Sequence, residues 1–100
     1  MRDDQVSILL PALNEEEGLN VLLPQIRDLF PEAEILVVDD GSTDRTAQVA
    51  KEQGAVVVSH PYRKGNGAAV KTAIRSATRP YLVLMDADGQ HRPEEISSLL

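Results

Sequence analysis

No cysteine occurs among the 100 residues, so the chain has neither a disulfide framework nor a thiolate metal site, and thiols give no clue to its redox compartment. Long apolar runs are also missing, and none approaches the roughly 20 residues that span a bilayer. The amino terminus, Met1-Arg2-Asp3-Asp4-Gln5, is acidic and polar where a signal peptide is basic and then apolar. Positive charge is scarce. The 10 Lys and Arg face 16 Asp and Glu, a formal net charge of −6, which opposes binding to a nucleic-acid backbone of the same sign and favours metal ions as partners. There is no internal repeat, low-complexity segment or interdomain linker. These absences predict a soluble cytoplasmic domain that binds no nucleic acid and has no membrane segment. With 42% hydrophobic residues, the chain supports a single domain over residues 1–100. Such a domain buries about two-thirds of its unfolded surface.

What is present is a rhythm. Short runs of β-branched and aliphatic residues, Val6 to Leu10, Glu34 to Val38, Ala55 to Ser59 and Tyr81 to Met85, alternate with segments of helical spacing. That pattern predicts β-α-β units and a mostly parallel sheet in a three-layer α/β/α arrangement of the Rossmann-like kind, with about four strands and four helices. The runs are nearly continuous in apolar character, as strands covered on both faces are. Glu16 to Phe30 puts Leu19, Leu22, Leu23, Ile26, Leu29 and Phe30 on one stripe, with Asn14 and Glu17 as a capping pair. Pro24 predicts a kink in this helix, or a start nearer Asn20. The second helix is expected over Thr43 to Gln53, capped by Ser42 and ended by Gly54. The third, about Gly67 to Ala77, has Ala69, Val70, Ala73, Ile74 and Ala77 on its buried side. Pro93, Glu94 and Glu95 suit the first turn of a fourth.

The polar clusters fall at equivalent places in this scheme. Ligands of a parallel α/β sheet bind outside the carboxyl ends of the strands. Here the first strand ends in Pro11-Ala12-Leu13-Asn14-Glu15, the second in Asp39-Asp40-Gly41-Ser42-Thr43-Asp44, and the fourth in Asp86-Ala87-Asp88-Gly89-Gln90. Arg63-Lys64-Gly65-Asn66-Gly67 follows the third. In extended chain Asp86 and Asp88 share a face, with Gln90 next in the row, and such oxygen donors suit Mg²⁺ or Mn²⁺. Taken alone, Asp86-Ala87-Asp88-Gly89 is equally a turn after a buried strand. Asp40 or Ser42 can serve simply as a helix cap. Arg63 to Ala69 offers cationic side chains and backbone donors to a phosphate, but lacks the ending of a P-loop and the three-glycine dinucleotide pattern. Lys71 and Arg75 read as the solvated face of the third helix. Of the two histidines, only His91 adjoins the metal edge. A calcium loop is excluded, because its sixth and twelfth positions would be His91 and Ser97 in place of Gly and Glu.

These four segments in this order, Pro11 to Glu16, Asp39 to Asp44, Gly65 to Ala69 and Asp86 to His91 followed by Pro93-Glu94, resemble the amino-terminal half of an inverting family 2 glycosyltransferase with a GT-A fold. The likeness is to the polyprenyl-phosphate or dolichyl-phosphate sugar transferases in particular. It implies that Pro11, Ala12, Asn14 and Glu15 line a nucleotide pocket and that Asp39 contacts base or ribose, with Asp40, Lys64 and Ala87 in the same nucleotide-binding set. It also implies that Asp86, Asp88 and Gln90 surround the metal and the donor diphosphate, Asp88 being the best single candidate for a direct ligand. The implied donor is a nucleotide diphosphate sugar, UDP- or GDP-linked, and the implied acceptor a polyprenyl phosphate. A basic or bulky residue is common in the family where Asn66 stands here.

The resemblance further implies a continuation beyond Leu100, so the expectation is a donor-binding half with the catalytic base elsewhere. An open sheet edge and uncovered apolar surface then favour a homo-oligomer, at least a dimer. A non-catalytic nucleotide or nucleotide-sugar binding module is the alternative. A phosphotransfer or receiver-like protein would place its critical aspartates after the first strand, where this chain has Pro-Ala-Leu-Asn-Glu.

Overall fold

The computed structural model describes residues 2–87. After a 3-10 turn at Asp3–Gln5 come β1 (Val6–Ala12), α1 (Glu16–Leu29), β2 (Glu34–Asp39), α2 (Thr46–Glu52), β3 (Val56–Ser59), α3 (Asn66–Ser76) and β4 (Tyr81–Leu84). The four strands form one parallel sheet in the order β3-β2-β1-β4. The expected three-layer α/β/α architecture is therefore present, with each described strand close to its expected run. The fourth helix, expected from Pro93, lies outside the described residues.

Alternation along the strands divides the core. Val6, Ile8 and Leu10 of β1, with Ile35 and Val37 of β2, pack against Leu19, Leu22, Leu23 and Ile26 of α1 and Val49 and Ala50 of α2. On the opposite face Leu9, Leu36 and Val38 meet Ala69 and Ala73 of α3. Successive side chains of a strand point to opposite faces, so β1 and β2, covered on both, are apolar through their middles, from Ile8 to Leu10 and from Ile35 to Val38. β4 is less enclosed. Its Leu82 and Leu84 remain exposed, as does Ile74 of α3.

Several local expectations are corrected. α1 begins at Glu16 as expected, so the alternative start nearer Asn20 falls away, and it runs through Pro24. Pro24 and Asn20 are both exposed, so the carbonyl that loses its partner is on the solvent side. Leu29, the last residue of the helix, is exposed, and Phe30 takes the last place on the buried stripe. α3 packs through Ala69 and Ala73, four residues apart, which turns Ile74 about 100° away from the contact. Among the described residues no helix is long and apolar enough to cross a membrane.

The strand order fixes where a ligand can sit. From β1 the chain steps outward to β2 and β3, then returns to place β4 on the other side of β1. The order reverses beside β1, and a crevice opens there at the carboxyl ends.

Candidate functional site

Single backbone bonds continue the sheet past its strands and hold the rim segments side by side. The N–H of Asp40 donates to the Ala12 carbonyl at 2.9 Å, that of His60 to Asp39 at 2.8 Å, and that of Met85 to Leu9 at 2.9 Å. Between them lies a cleft of about 230 Å³. It is lined by Pro11, Ala12, Leu13 and Glu15 after β1, Asp40 after β2, Arg63, Asn66 and Ala69 around the start of α3, and Asp86 and Ala87 after β4.

The first and second rim loops are stitched together. Asn14, in the left-handed region at φ 54°, receives the Thr43 N–H on its side-chain oxygen at 2.9 Å, while its own N–H donates to Ser42 Oγ at 2.9 Å. The fully buried Thr46 accepts the Glu15 N–H at 2.9 Å and donates its hydroxyl to Asp44. Asp44 accepts the N–H groups of both Thr46, at 2.9 Å, and Glu16, at 3.3 Å. One carboxylate thus serves the first residues of α1 and α2 together. Burial pushes the Asp44 carboxyl up, but the bonds from Thr46 and Glu16 outweigh it and hold it below the usual carboxylate range. This arrangement replaces both expected caps. Asn14 and Glu17 do not form a capping pair, and Ser42 caps no helix because α2 starts later, at Thr46. A cap from another loop ties two helices at once, which local pairing cannot do.

Asp40 does the same for the second and third loops. It is 4% exposed, and its Oδ1 accepts the Lys64 N–H at 2.9 Å and faces His60 Nδ1 at 2.8 Å, while Oδ2 accepts the Gly65 N–H at 2.9 Å. Burial raises this carboxyl, yet the His60 contact and the two backbone donors prevail and keep it low, so it is ionised. Gly41, at φ 78°, lies against the same loop. A Cβ there would fall 2.5 Å from Arg63 N.

Of the residues selected from sequence, Pro11, Ala12, Glu15, Asp40, Asp86 and Ala87 come together around the cleft. Asn14, Asp39 and Lys64 are not in its lining. Asn14 belongs to the stitch, Asp39 receives the Ser42 N–H at 2.9 Å, and the Lys64 ammonium stands 5.5 Å from the Tyr62 ring centre. Asp88, Gln90 and His91 lie outside the described residues. Sequence reading left Leu13, Asn66 and Ala69 out of the pocket and gave no role to His60 or Thr46. Ala69 carried a signal in retrospect, being a small residue one turn into a helix that opens at the rim.

The donor chemistry on the β4 side suits a hard cation. Asp86 is an exposed carboxylate on the cleft wall. Among the described residues alone, no group of three or more acidic, His or Cys side chains is placed to hold a metal.

Residues 7–100 match the family model described as glycosyl transferase family 2. An uncharacterized glycosyltransferase of Mycobacterium bovis is 42% identical over 100 residues, covering 100% of this chain and 44% of the relative. The undecaprenyl-phosphate mannosyltransferase of Micrococcus luteus is 38% identical over 104 residues, covering 96% of this chain and 43% of that protein. A solved structure of glucosyl-3-phosphoglycerate synthase from Mycobacterium tuberculosis, in complex with Mn²⁺, UDP-glucose and phosphoglyceric acid, superposes with a TM-score of 0.78 at 30% identity. That alignment covers 93% of this chain and 37% of the other. The chain spans less than half the length of the curated relatives it matches.

Proposed function

The chain belongs to glycosyl transferase family 2, and on that footing we propose that the cleft beside β1 binds the nucleotide diphosphate of a UDP- or GDP-linked sugar for metal-dependent transfer with inversion. The carrying observation is the meeting of Glu15, Asp40, Arg63 and Asp86 from four strand ends at the point where strand order reverses. The likeness to a synthase solved with Mn²⁺ and UDP-glucose supports the reading.

The charges define what each residue does. Two unit charges 4 Å apart interact by about 4 kcal/mol at an effective dielectric near 20, so carboxylates facing a diphosphate need compensation. Arg63 supplies part of it from the cleft wall. Asp86, with Asp88 and Gln90, is the proposed ligand set for Mg²⁺ or Mn²⁺. When bound, such a cation stabilises the charge on the departing diphosphate as a Lewis acid. Pro11, Ala12 and Leu13 form an apolar wall for the nucleoside, and Glu15 is a hydrogen-bond acceptor beside it.

For the acceptor we favour a polyprenyl phosphate, on the likeness to the undecaprenyl-phosphate mannosyltransferase. A phosphate oxygen is already anionic and needs no strong base, whereas a hydroxyl acceptor would need one. Self-association through the exposed Leu82 and Leu84 is part of the same reading, and light scattering at high concentration would refute it by returning a monomer mass.

The test is calorimetric titration of the chain with UDP and GDP, with and without Mn²⁺, alongside Asp86→Ala and Asp88→Ala. Binding that needs the metal and is lost in both variants is the expected result. Nucleotide binding that ignores both metal and variants would overturn the metal assignment, and no binding at all would overturn the donor-site reading.

A further inference from the structure

His60 is a buried titratable group for which the donor chemistry above has no use. It follows β3 and is 8% exposed, and its backbone N–H is fixed to the Asp39 carbonyl at 2.8 Å. Its ring spans two elements: Nδ1 lies 2.8 Å from Asp40 Oδ1, and Nε2 lies 2.8 Å from Thr72 Oγ1 on α3. An ionised carboxylate only accepts, so Nδ1 carries the hydrogen; in the neutral ring Nε2 then accepts the Thr72 hydroxyl. Neither His60 nor Thr72 lines the cleft.

The ring's partners nonetheless control what does line it. The other bonds of Asp40 go to the N–H groups of Lys64 and Gly65, the two residues between Arg63 and Asn66. Those flanking residues are the polar side chains that the third rim loop brings into the cleft. Ala69, also on the wall, lies three residues before Thr72 on α3, and residues at that spacing share a helix face. The backbone of the loop is further wedged against Gly41. Loop and helix are therefore referred to one point, the imidazole between Asp40 and Thr72.

We infer that His60, clamped between Asp40 and Thr72, is a positioning residue that sets the affinity of the cleft for a nucleotide diphosphate by fixing Arg63 and Asn66, without touching the ligand. This rests on the donor-site reading. Loss of the Thr72 hydroxyl removes no group from the cleft, yet leaves a buried ring nitrogen without its partner and frees the ring to turn.

The experiment compares the chain with Thr72→Val, Thr72→Ser and Ser7→Ala. Ser7 bonds to Glu34 at the far end of the sheet, at 2.7 Å, so Ser7→Ala controls for general loss of stability. Each protein is titrated with Mn²⁺ and UDP, and with Mn²⁺ and GDP, its thermal melting is recorded, and long-range ¹H–¹⁵N spectra report which ring nitrogen of His60 bears the proton. Thr72→Val is expected to remain folded, to keep the Nδ1–H that Asp40 fixes while the Nε2 resonance shifts on losing its hydrogen bond, and to bind nucleotide roughly three- to tenfold more weakly, from one unpaired buried hydrogen-bonding atom. Thr72→Ser restores both, and Ser7→Ala changes neither. Undiminished binding by Thr72→Val, or an equal loss in Ser7→Ala, would overturn the inference while leaving the donor site standing. Failure of the unaltered chain to bind either nucleotide would overturn the donor-site reading and the inference with it.

Discussion

A Cβ placed on Gly18 would lie 2.9 Å from the carbonyl oxygen of Ala87, so the first turn of α1 and the segment after β4 meet with no space for a side chain between them. The close approach positions the residue next to Ala87, which is Asp86. Gly18→Val must push this segment outward, at an overpacking cost of about 1–3 kcal/mol. The expected outcome is a folded chain whose metal-dependent nucleotide binding is weakened, read by calorimetry beside a circular-dichroism melt. Unchanged affinity would show that the approach of α1 does not position Asp86.

Gly41 and Gly54 give a paired comparison. Both have positive φ, 78° and 84°, but a side chain at Gly41 would meet the Tyr62–Arg63 backbone at 2.5 Å while Gly54 faces open space. Gly54→Ala pays only for the left-handed backbone, about 1–2 kcal/mol. Gly41→Ala adds a clash that flexible side chains cannot relieve, so urea denaturation should rank it clearly the more destabilising. It should also impair nucleotide binding, because it displaces the loop that carries Arg63. Equal costs would mean that the two rim loops are free to separate.

The difference between these glycines marks how far the sequence alone could be read. The sheet, its helices and the gathering of rim loops were legible because they follow from periodicity, as in Val6 to Leu10 or Leu19 to Ile26, where each residue's neighbours are close in sequence. The bonds that shape the site join residues far apart. Asn14 meets Thr43, Asp44 meets Glu16, and Asp40 meets Gly65. Polar residues in rim loops have several satisfactory local partners, so capping rules chose Glu17 for Asn14 and Ser42 for α2, where the folded chain joins Asn14 to Ser42 and Thr43 across loops and caps α2 with Asp44. His60 stood out only as a histidine away from the metal edge, since its role depends on Thr72 coming within reach from a helix twelve residues on. The resemblance of the four segments located the cleft, but Asn14, Asp39 and Lys64 shape its surroundings from outside the lining.

Asp44 is expected to matter more than a single cap. Asp44→Ala strips the acceptor from the N–H groups of Glu16 and Thr46 and from the Thr46 hydroxyl at 0% exposure. Loss of one cap costs about 1 kcal/mol, so two helix starts and a buried hydroxyl together should cost about 2–4 kcal/mol. Asp44→Asn keeps an acceptor and should recover part of this. Chemical denaturation of both variants checks the order, which would fail if Asp44→Ala cost no more than an ordinary surface substitution.

Acid should expose the same design. In Glu34, burial raises the carboxyl, but the Thr78 N–H at 3.0 Å, the hydroxyls of Ser7 and Thr78 and the charge of Arg79 outweigh it, leaving its pKa lowered as in Asp40 and Asp44. A group whose pKa is lower folded than unfolded stabilises the fold fully above its unfolded value, and that contribution fades as pH falls through the folded one. The ordinary values are 3.8 for the two aspartates and 4.5 for Glu34, so stability should hold from neutral pH to about 5 and then drop steadily. Glu34→Gln should flatten that decline without altering nucleotide affinity, because Glu34 begins β2 at the end of the sheet opposite the cleft. Asp40→Asn should flatten it and weaken binding together. Melting temperatures from pH 7 to pH 3 separate the two variants, and an undiminished slope in both would show that these carboxylates are no better solvated by the folded chain than by water.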